Sequence, residues 1–258
     1  MIETQHLYYK IGSKLILEDI SVKFLPGKLN LIIGPNGAGK STLVKLICQQ
    51  SKPSKGTILF ENKNLQSLST MELSKYRAVL SQNIELAFPL KVSEVVMMGR
   101  YPHFSSKPTE KDLKACEEAM RFFDVLDMAN RDYLTLSGGE KQRVHFARVA
   151  AQIWVPIENG CRYLILDEPL TFLDVHYQFH FMHKLLELLQ QKDVVIIGVV
   201  HDLNLAAKFA NEIVLLNHGK LLAHGSPEEV LTPEFIRTAY RLEPIIHQTN
   251  GQTFLFFE

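Results

Sequence analysis

Leu31-Ile32-Ile33-Gly34-Pro35-Asn36-Gly37-Ala38-Gly39-Lys40-Ser41-Thr42 passes from an apolar run through a glycine-rich turn into a helical pattern, the setting that a phosphate loop requires. Backbone N–H groups from Gly37 to Ser41 can wrap phosphate oxygens, helped by the N-terminus of the helix that follows. Lys40 supplies a point charge for the β and γ phosphates, and the hydroxyl of Ser41, with Thr42 beside it, can ligate Mg²⁺. A pattern this specific arises by chance in only ~1% of chains of this length, so nucleotide binding is preferred over a glycine turn without a ligand.

Other short apolar runs recur outward from this point, at Leu164 to Leu166, Val194 to Val200 and Ile213 to Leu216. Being continuous rather than alternating, they suit strands buried on both faces of a parallel sheet. Helical patterns follow several of them, at Lys40 to Cys48, Asp174 to Gln191 and Leu203 to Ala210, which is the α/β order. Between Gln82 and Trp154 the chain reads instead as successive helices, Val92 to Gly99, Glu110 to Phe123 and Gly138 to Ile153, with Pro89, Pro102 and Pro108 marking turns. The expected organisation is a nucleotide-binding α/β core from 1–82 and 160–258, with a helical subdomain at 83–159. In the tail, Ser226-Pro227-Glu228-Glu229 reads as a helix start, and Phe254 to Phe257 closes the chain.

Tyr163 to Leu166 deliver Asp167 and Glu168 to the carboxyl end of a strand, where α/β ligand sites form. A lone pair of acids would be read as caps of a turn. With a phosphate loop upstream, Asp167 is expected to hold Mg²⁺ through water and Glu168 to act as general base for the water that attacks the γ phosphate. Leu136-Ser137-Gly138-Gly139-Glu140 precedes this pair by about one helix. The N–H groups of Gly138 and Gly139 open that helix as a second anion site, one that a single subunit has no obvious way to use on its own nucleotide.

Composition excludes several classes. Lys plus Arg and Asp plus Glu are 28 each, so no global basic field argues for nucleic acid. Three cysteines without CxxC spacing suggest neither a disulfide framework nor a zinc site, and a reducing cytosol is the simplest compartment. The first residues carry Glu3 and no apolar run of signal length, and no segment approaches the ~20 apolar residues of a membrane span.

These motifs, in this order and across nearly the whole chain, resemble the nucleotide-binding subunit of an ATP-binding cassette (ABC) transporter. The resemblance implies a P-loop NTPase (RecA-like) core with a mainly parallel sheet, an N-terminal antiparallel β portion and a helical insert. It makes Leu136 to Glu140 the ABC signature, with Ser137, Gly138, Gly139 and Glu140 facing ATP held by a second copy of the chain. Gln82 matches the glutamine loop that senses Mg²⁺ and the attacking water, Asp174 the end of the D-loop, and His201 the switch histidine on the γ phosphate, although a core histidine would be the ordinary reading of His201 alone. The adenine-stacking position falls on Ile11, with Tyr9 and Tyr8 just upstream; Tyr9 is the choice. Phe172 is bulky for a D-loop. His176, His180 and His183 share one helix face and are assigned no metal, for want of a nearby acid or cysteine.

The resemblance also implies partners: a second copy forming an ATP-sandwich homodimer, integral membrane permease subunits, and a periplasmic or extracellular substrate-binding protein in the full system. The place implied is the cytoplasmic face of the inner membrane. The segment from Ala87 to Val96, with Phe88, Met97 and Met98, is the surface expected to receive the permease. The run Val95 to His103 resembles the iron-chelate, haem and cobalamin importer branch, and the long connection from Ala151 to Cys161 resembles haem-importer ATPases in particular. Haem is thus the implied cargo, with siderophore or cobalamin as the alternative, and no direct haem contact is expected. A non-transport ATPase of the same superfamily is the remote alternative.

Overall fold

The computed structural model describes residues 1–81, 86–158, 160–171, 173–249 and 252–257. The chain divides into two compact units, 1–68 with 195–258, and 69–194.

In the first unit, β1 (Ile2–Ile11) lies antiparallel between β2 (Lys14–Phe24) and β4 (Lys55–Phe60), and β5 (Lys63–Asn64) continues from β4. A separate set of strands centres on β3 (Leu29–Ile33), with β8 (Val194–Val199) parallel on one side and β9 (Glu212–Asn217) parallel on the other. β10 (Lys220–Gly225) returns antiparallel along β9. Every residue of β3 and β8 is buried, which is why these strands read as unbroken apolar runs. The one polar residue in β3, Asn30, donates from Nδ2 to the carbonyls of Lys28 and Ile196 at 3.1 and 3.0 Å. Around these strands lie α1 (Lys40–Ile47), α7 (Leu203–Phe209), α8 (Pro227–Val230), α9 (Pro233–Tyr240) and a hairpin of β11 (Pro244–Thr249) with β12 (Gln252–Phe257).

The second unit contains α2 (Thr70–Ser74), the parallel pair β6 (Arg77–Leu80) and β7 (Arg162–Leu166), and four further helices, α3 (Val92–Met97), α4 (Glu110–Phe122), α5 (Gly138–Gln152) and α6 (Val175–Leu189). Its aromatic core is built by Phe146 stacked on Phe181 at 3.7 Å, with Phe123 tilted against both, so that α4, α5 and α6 share one buried cluster. Thr109 and Ser137 start α4 and α5 with capping boxes, satisfying N–H groups that the first turn leaves open. Among the described residues no helix is long and apolar enough to cross a membrane.

The far end of α5 is held by two buried arginines. Arg100 pairs with Asp112 at 2.9 Å and donates to the carbonyls of Ala151 and Gln152. Arg162, at the start of β7, donates to the carbonyls of Ile153 and Trp154 at 2.7 and 2.9 Å and to both carboxylate oxygens of Asp193. Two guanidinium groups therefore complement the negative end of the helix dipole and fix α5 to the strand that carries Asp167.

Candidate functional site

After β3 the chain enters a loop whose glycines take left-handed backbone angles, φ 147° at Gly34, 77° at Gly37 and 102° at Gly39. The loop is wedged tightly. A Cβ on Gly34 would lie 2.2 Å from the Leu216 carbonyl oxygen, and one on Gly39 would lie 2.5 Å from Cδ2 of Leu17. Gly219 in the turn after β9 donates its N–H to the Ala38 carbonyl, and its own carbonyl accepts from Glu18. The phosphate loop is thus held between β2 and the turn joining β9 to β10, support that its local sequence did not reveal.

Gly39 caps α1 without a side chain, and no acid stands in the first turn of that helix, leaving a positive helix terminus. Lys40 is buried to 5% exposure and folds its ammonium back onto the loop, donating to the carbonyls of Gly34 and Pro35 at 2.8 and 3.0 Å. Pro35 also accepts from the Ala38 N–H at 3.1 Å, closing the turn across Asn36 and Gly37. Ser41 and Thr42 follow in the first turn of α1 and are half-buried. This is a tight glycine turn leading into a helix N-terminus, with a cation beside it, chemistry suited to a polyphosphate.

His201 belongs to the same unit. Val200 donates its N–H to the Ile32 carbonyl at 3.2 Å, so adjacent parallel strands release Gly34 and His201 side by side at their carboxyl ends, where ligand sites of open α/β sheets form. His201 is exposed, not a core histidine. On β1, Tyr9 is half-buried and pairs across the ladder with Leu17, Tyr8 lies under the Lys55 ammonium at 5.3 Å, and Ile11 is exposed.

In the second unit β7 brings Asp167 to 9% exposure, and the Asp167 N–H donates to the Leu80 carbonyl at the end of β6. Glu168 adopts φ 52°, left-handed backbone that costs a non-glycine residue about 1 kcal/mol or more. Such strain persists where surrounding contacts over-determine it. Two are visible: Thr171 Oγ1 donates to the Glu168 carbonyl at 3.1 Å, and Gln142 Nε2 of α5 donates to the Pro169 carbonyl at 2.8 Å. Gln142 was not singled out from the sequence, because its partner is 27 residues away. Asp174 caps α6 by accepting the Tyr177 N–H at 3.0 Å. Gln82 and Phe172 lie outside the described residues.

Ser137 begins α5 with its side chain accepting the Glu140 N–H, while Glu140 accepts the Ser137 N–H at 2.7 Å and pairs with Arg131 at 3.0 Å. The hydrogen bonds from Ser137, then Arg131, hold the Glu140 carboxyl below its usual range. A Cβ on Gly138 or Gly139 would meet nothing within 4 Å among the described residues. Packing within the chain does not require glycine there, and both glycines face open space with helix-start N–H groups.

Other residues named from the sequence lie as follows. His180 bonds Asp124 at 2.8 Å, so the acid that the sequence did not place near these histidines is supplied from 56 residues away, and the His180 ring lies parallel to that of His176. Arg143 donates to the Asp124 carbonyl and covers the Tyr177 ring at 4.9 Å. Phe88 is 72% exposed, whereas Met97 and Met98 are half-buried. Trp154 bonds Glu118 at 2.7 Å, anchoring the long connection before β7.

Known proteins resemble the chain along most of its length. The chain is 42% identical to the hemin import ATP-binding protein HmuV of Gloeobacter violaceus, over 95% of this chain and 89% of that one. It is 40% identical to the protein of the same name from Escherichia coli O157:H7, over 93% and 92%. Among solved structures, a part of an ABC transporter complex from Clostridium perfringens superposes with TM-score 0.77 at 26% identity, covering 92% of each chain. A bacterial ABC transporter cassette solved as a dimer gives 0.74 at 26%, covering 88% of this chain and 99% of that one. A family model described as ABC transporter matches residues 17–171, more than half of the chain and inclusive of the phosphate loop, Leu136 to Glu140 and the Asp167-Glu168 pair; the chain belongs to the ABC transporter family, as an ATP-hydrolysing cassette.

Proposed function

We propose that this chain energises the import of haem through a membrane permease. The observation that carries the reading is likeness along almost the entire length: three relatives at 38–42% identity over 93–97% of this chain each bear the name hemin import ATP-binding protein.

Two copies pack head to tail, with each ATP between the phosphate loop of one and the Ser137-Gly138-Gly139-Glu140 run of the other. The N–H groups of Gly37 to Ser41 hold the phosphates, Lys40 turns from its carbonyls to the β and γ oxygens, and Tyr9 lies against the adenine. Mg²⁺, when bound, neutralises charge on those oxygens; Ser41 with Thr42 and the carboxylate of Asp167 are hard oxygen donors that suit it, and Gln82 is assigned to sense it. Glu168 takes a proton from the attacking water while His201 donates a hydrogen bond to the γ phosphate. Loss of that phosphate removes an interaction that favours the closed pair, and Asp174 relays the change between copies.

The cassette sits on the cytoplasmic face of the membrane, bound to permease subunits through the surface around exposed Phe88. A substrate-binding protein on the opposite side delivers haem, and haem does not touch the cassette. Co-purification with the permease, followed by ATP-driven uptake into vesicles, tests this directly. Haem accumulation that requires Glu168 is expected; transport of cobalamin or a ferric siderophore without haem overturns the cargo.

A further inference from the structure

Asn204, in the first turn of α7, spends its side-chain amide on the C-terminal hairpin. Nδ2 donates to the Leu255 carbonyl at 3.0 Å, and Oδ1 accepts the Leu255 N–H at 2.8 Å. A carboxamide offers the same donor and acceptor pair as a peptide unit, so it binds β12 as a neighbouring strand would. Leu255 is 2% exposed and lies opposite Ile246 in the hairpin ladder, giving the amide a rigid anchor.

The turn joined to that anchor carries His201. Asp202 caps α7, accepting the N–H groups of Asn204 and Leu205 at 2.7 and 3.0 Å, and Val200 on the other side is tied to Ile32. His201 is exposed, so burial does not set its direction, and the backbone on either side of it is firmly held. α7 has only seven residues, and the ends of so short a helix fray unless something outside holds them. The Asn204 amide is such a hold, from a segment 51 residues away.

We propose that Asn204 is a positioning residue for ATP hydrolysis, clamping the His201 turn to the C-terminal hairpin. The proposal rests on the reading that His201 contacts the γ phosphate, and goes further in giving the hairpin a role in turnover. Without the clamp, ATP still binds through the phosphate loop, but the imidazole samples directions in which it misses the transferring group.

Asn204 is itself exposed, and buried Leu203, Leu205, Ala206 and Phe209 keep α7 on the core, so Asn204→Ala is expected to fold; because the backbone N–H and carbonyl of buried Leu255 lose their partner, its melting temperature should fall by about 2–4 °C. In the full chain assembled with its permease, kcat for ATP should fall about 5- to 10-fold with KM within about twofold, the signature of an interaction needed in the transition state. Asn204→Asp, which keeps only the acceptor, should fall between the two. The decisive comparison is a double-mutant cycle. In a His201→Ala background, Asn204→Ala should change kcat no further. Wild-type kcat in Asn204→Ala, or an equal loss in both backgrounds, overturns the clamp. If His201→Ala alone turns over normally, the histidine assignment fails first and the clamp falls with it, a result the single variants tell apart.

Discussion

Gln142 Nε2 donates to the carbonyl oxygen of Pro169 at 2.8 Å, linking the second turn of the helix that begins at Ser137 to the residue after Glu168. The surface facing open solvent at Gly138 and Gly139 and the strained glutamate are therefore parts of one unit. Any force on the start of α5 is passed to the carboxylate loop through a hydrogen bond and a proline, which has little backbone freedom to absorb it.

Gln142→Leu should sever this link while leaving the helix intact. Steady-state ATPase assays are expected to show kcat reduced about tenfold, the equivalent of one net hydrogen bond at the barrier, with KM for ATP nearly unchanged. A rise in KM at constant kcat would place Gln142 in nucleotide binding instead.

Gly139→Arg tests whether the open face of α5 is reserved for something outside the chain. Because a Cβ there meets nothing within 4 Å among the described residues, thermal melting should move by no more than about 2 °C, within the range of ordinary surface substitutions. ATP binding by the monomer should persist, while turnover drops at least a hundredfold because the opposing phosphate cannot reach the helix start. Turnover that survives the arginine would place the second nucleotide contact elsewhere.

How much of the fold and site was legible in the sequence depends on the range of each interaction. β3, β7, β8 and β9 were readable because burial on both faces leaves continuous apolar runs, and the caps at Thr109 and Ser137 because a capping box spans only three residues. β1 and β2 were anticipated only through family likeness: the alternation of β1 is broken by register shifts around Thr4, Leu7 and Tyr9, with His6 and Asp19 at φ 47° and 56°, whereas Ile20 to Phe24 of β2 does alternate buried and exposed residues, a period of two that the sequence reading passed over. Gln142 with Pro169, Asn204 with Leu255, and Gly219 with Ala38 leave no local pattern, since each is a tertiary contact between segments distant in sequence.

Arg162→Met should be the most damaging substitution far from the nucleotide. Removing a guanidinium at 2% exposure leaves the carbonyls of Ile153 and Trp154 without their donor and half-exposed Asp193 without its cation, a cost of about 2–4 kcal/mol, most of it from the carbonyls. Calorimetry is expected to show a melting temperature lower by about 10 °C. An unchanged melt would show that solvent or rearrangement replaces these bonds.

His145 provides a pH test. Burial, with the Arg148 charge second, pushes its imidazole down to about 4 from an ordinary 6.5, and its Nε2 lies 2.8 Å from the Tyr133 hydroxyl. Between these values the unfolded chain binds a proton that the folded chain refuses, so stability is complete above about pH 6.5 and declines as pH falls toward 4. By linkage the loss at pH 4.5 is about 2–3 kcal/mol. Urea unfolding at pH 7 and 4.5 should show this difference in the wild type and a smaller one in His145→Phe; equal differences in the two proteins would remove His145 as the cause.

Enclosure of nucleotide by paired protomers is the feature on which the mechanism depends most, and sedimentation of Glu168→Gln with ATP measures it directly. The expected result is a species of twice the monomer mass that forms only with ATP and disappears when Gly139→Arg is added. A Glu168→Gln protein that remains monomeric at saturating ATP, alongside wild-type protein whose ATPase rate per molecule stays constant down to nanomolar concentration, would contradict it.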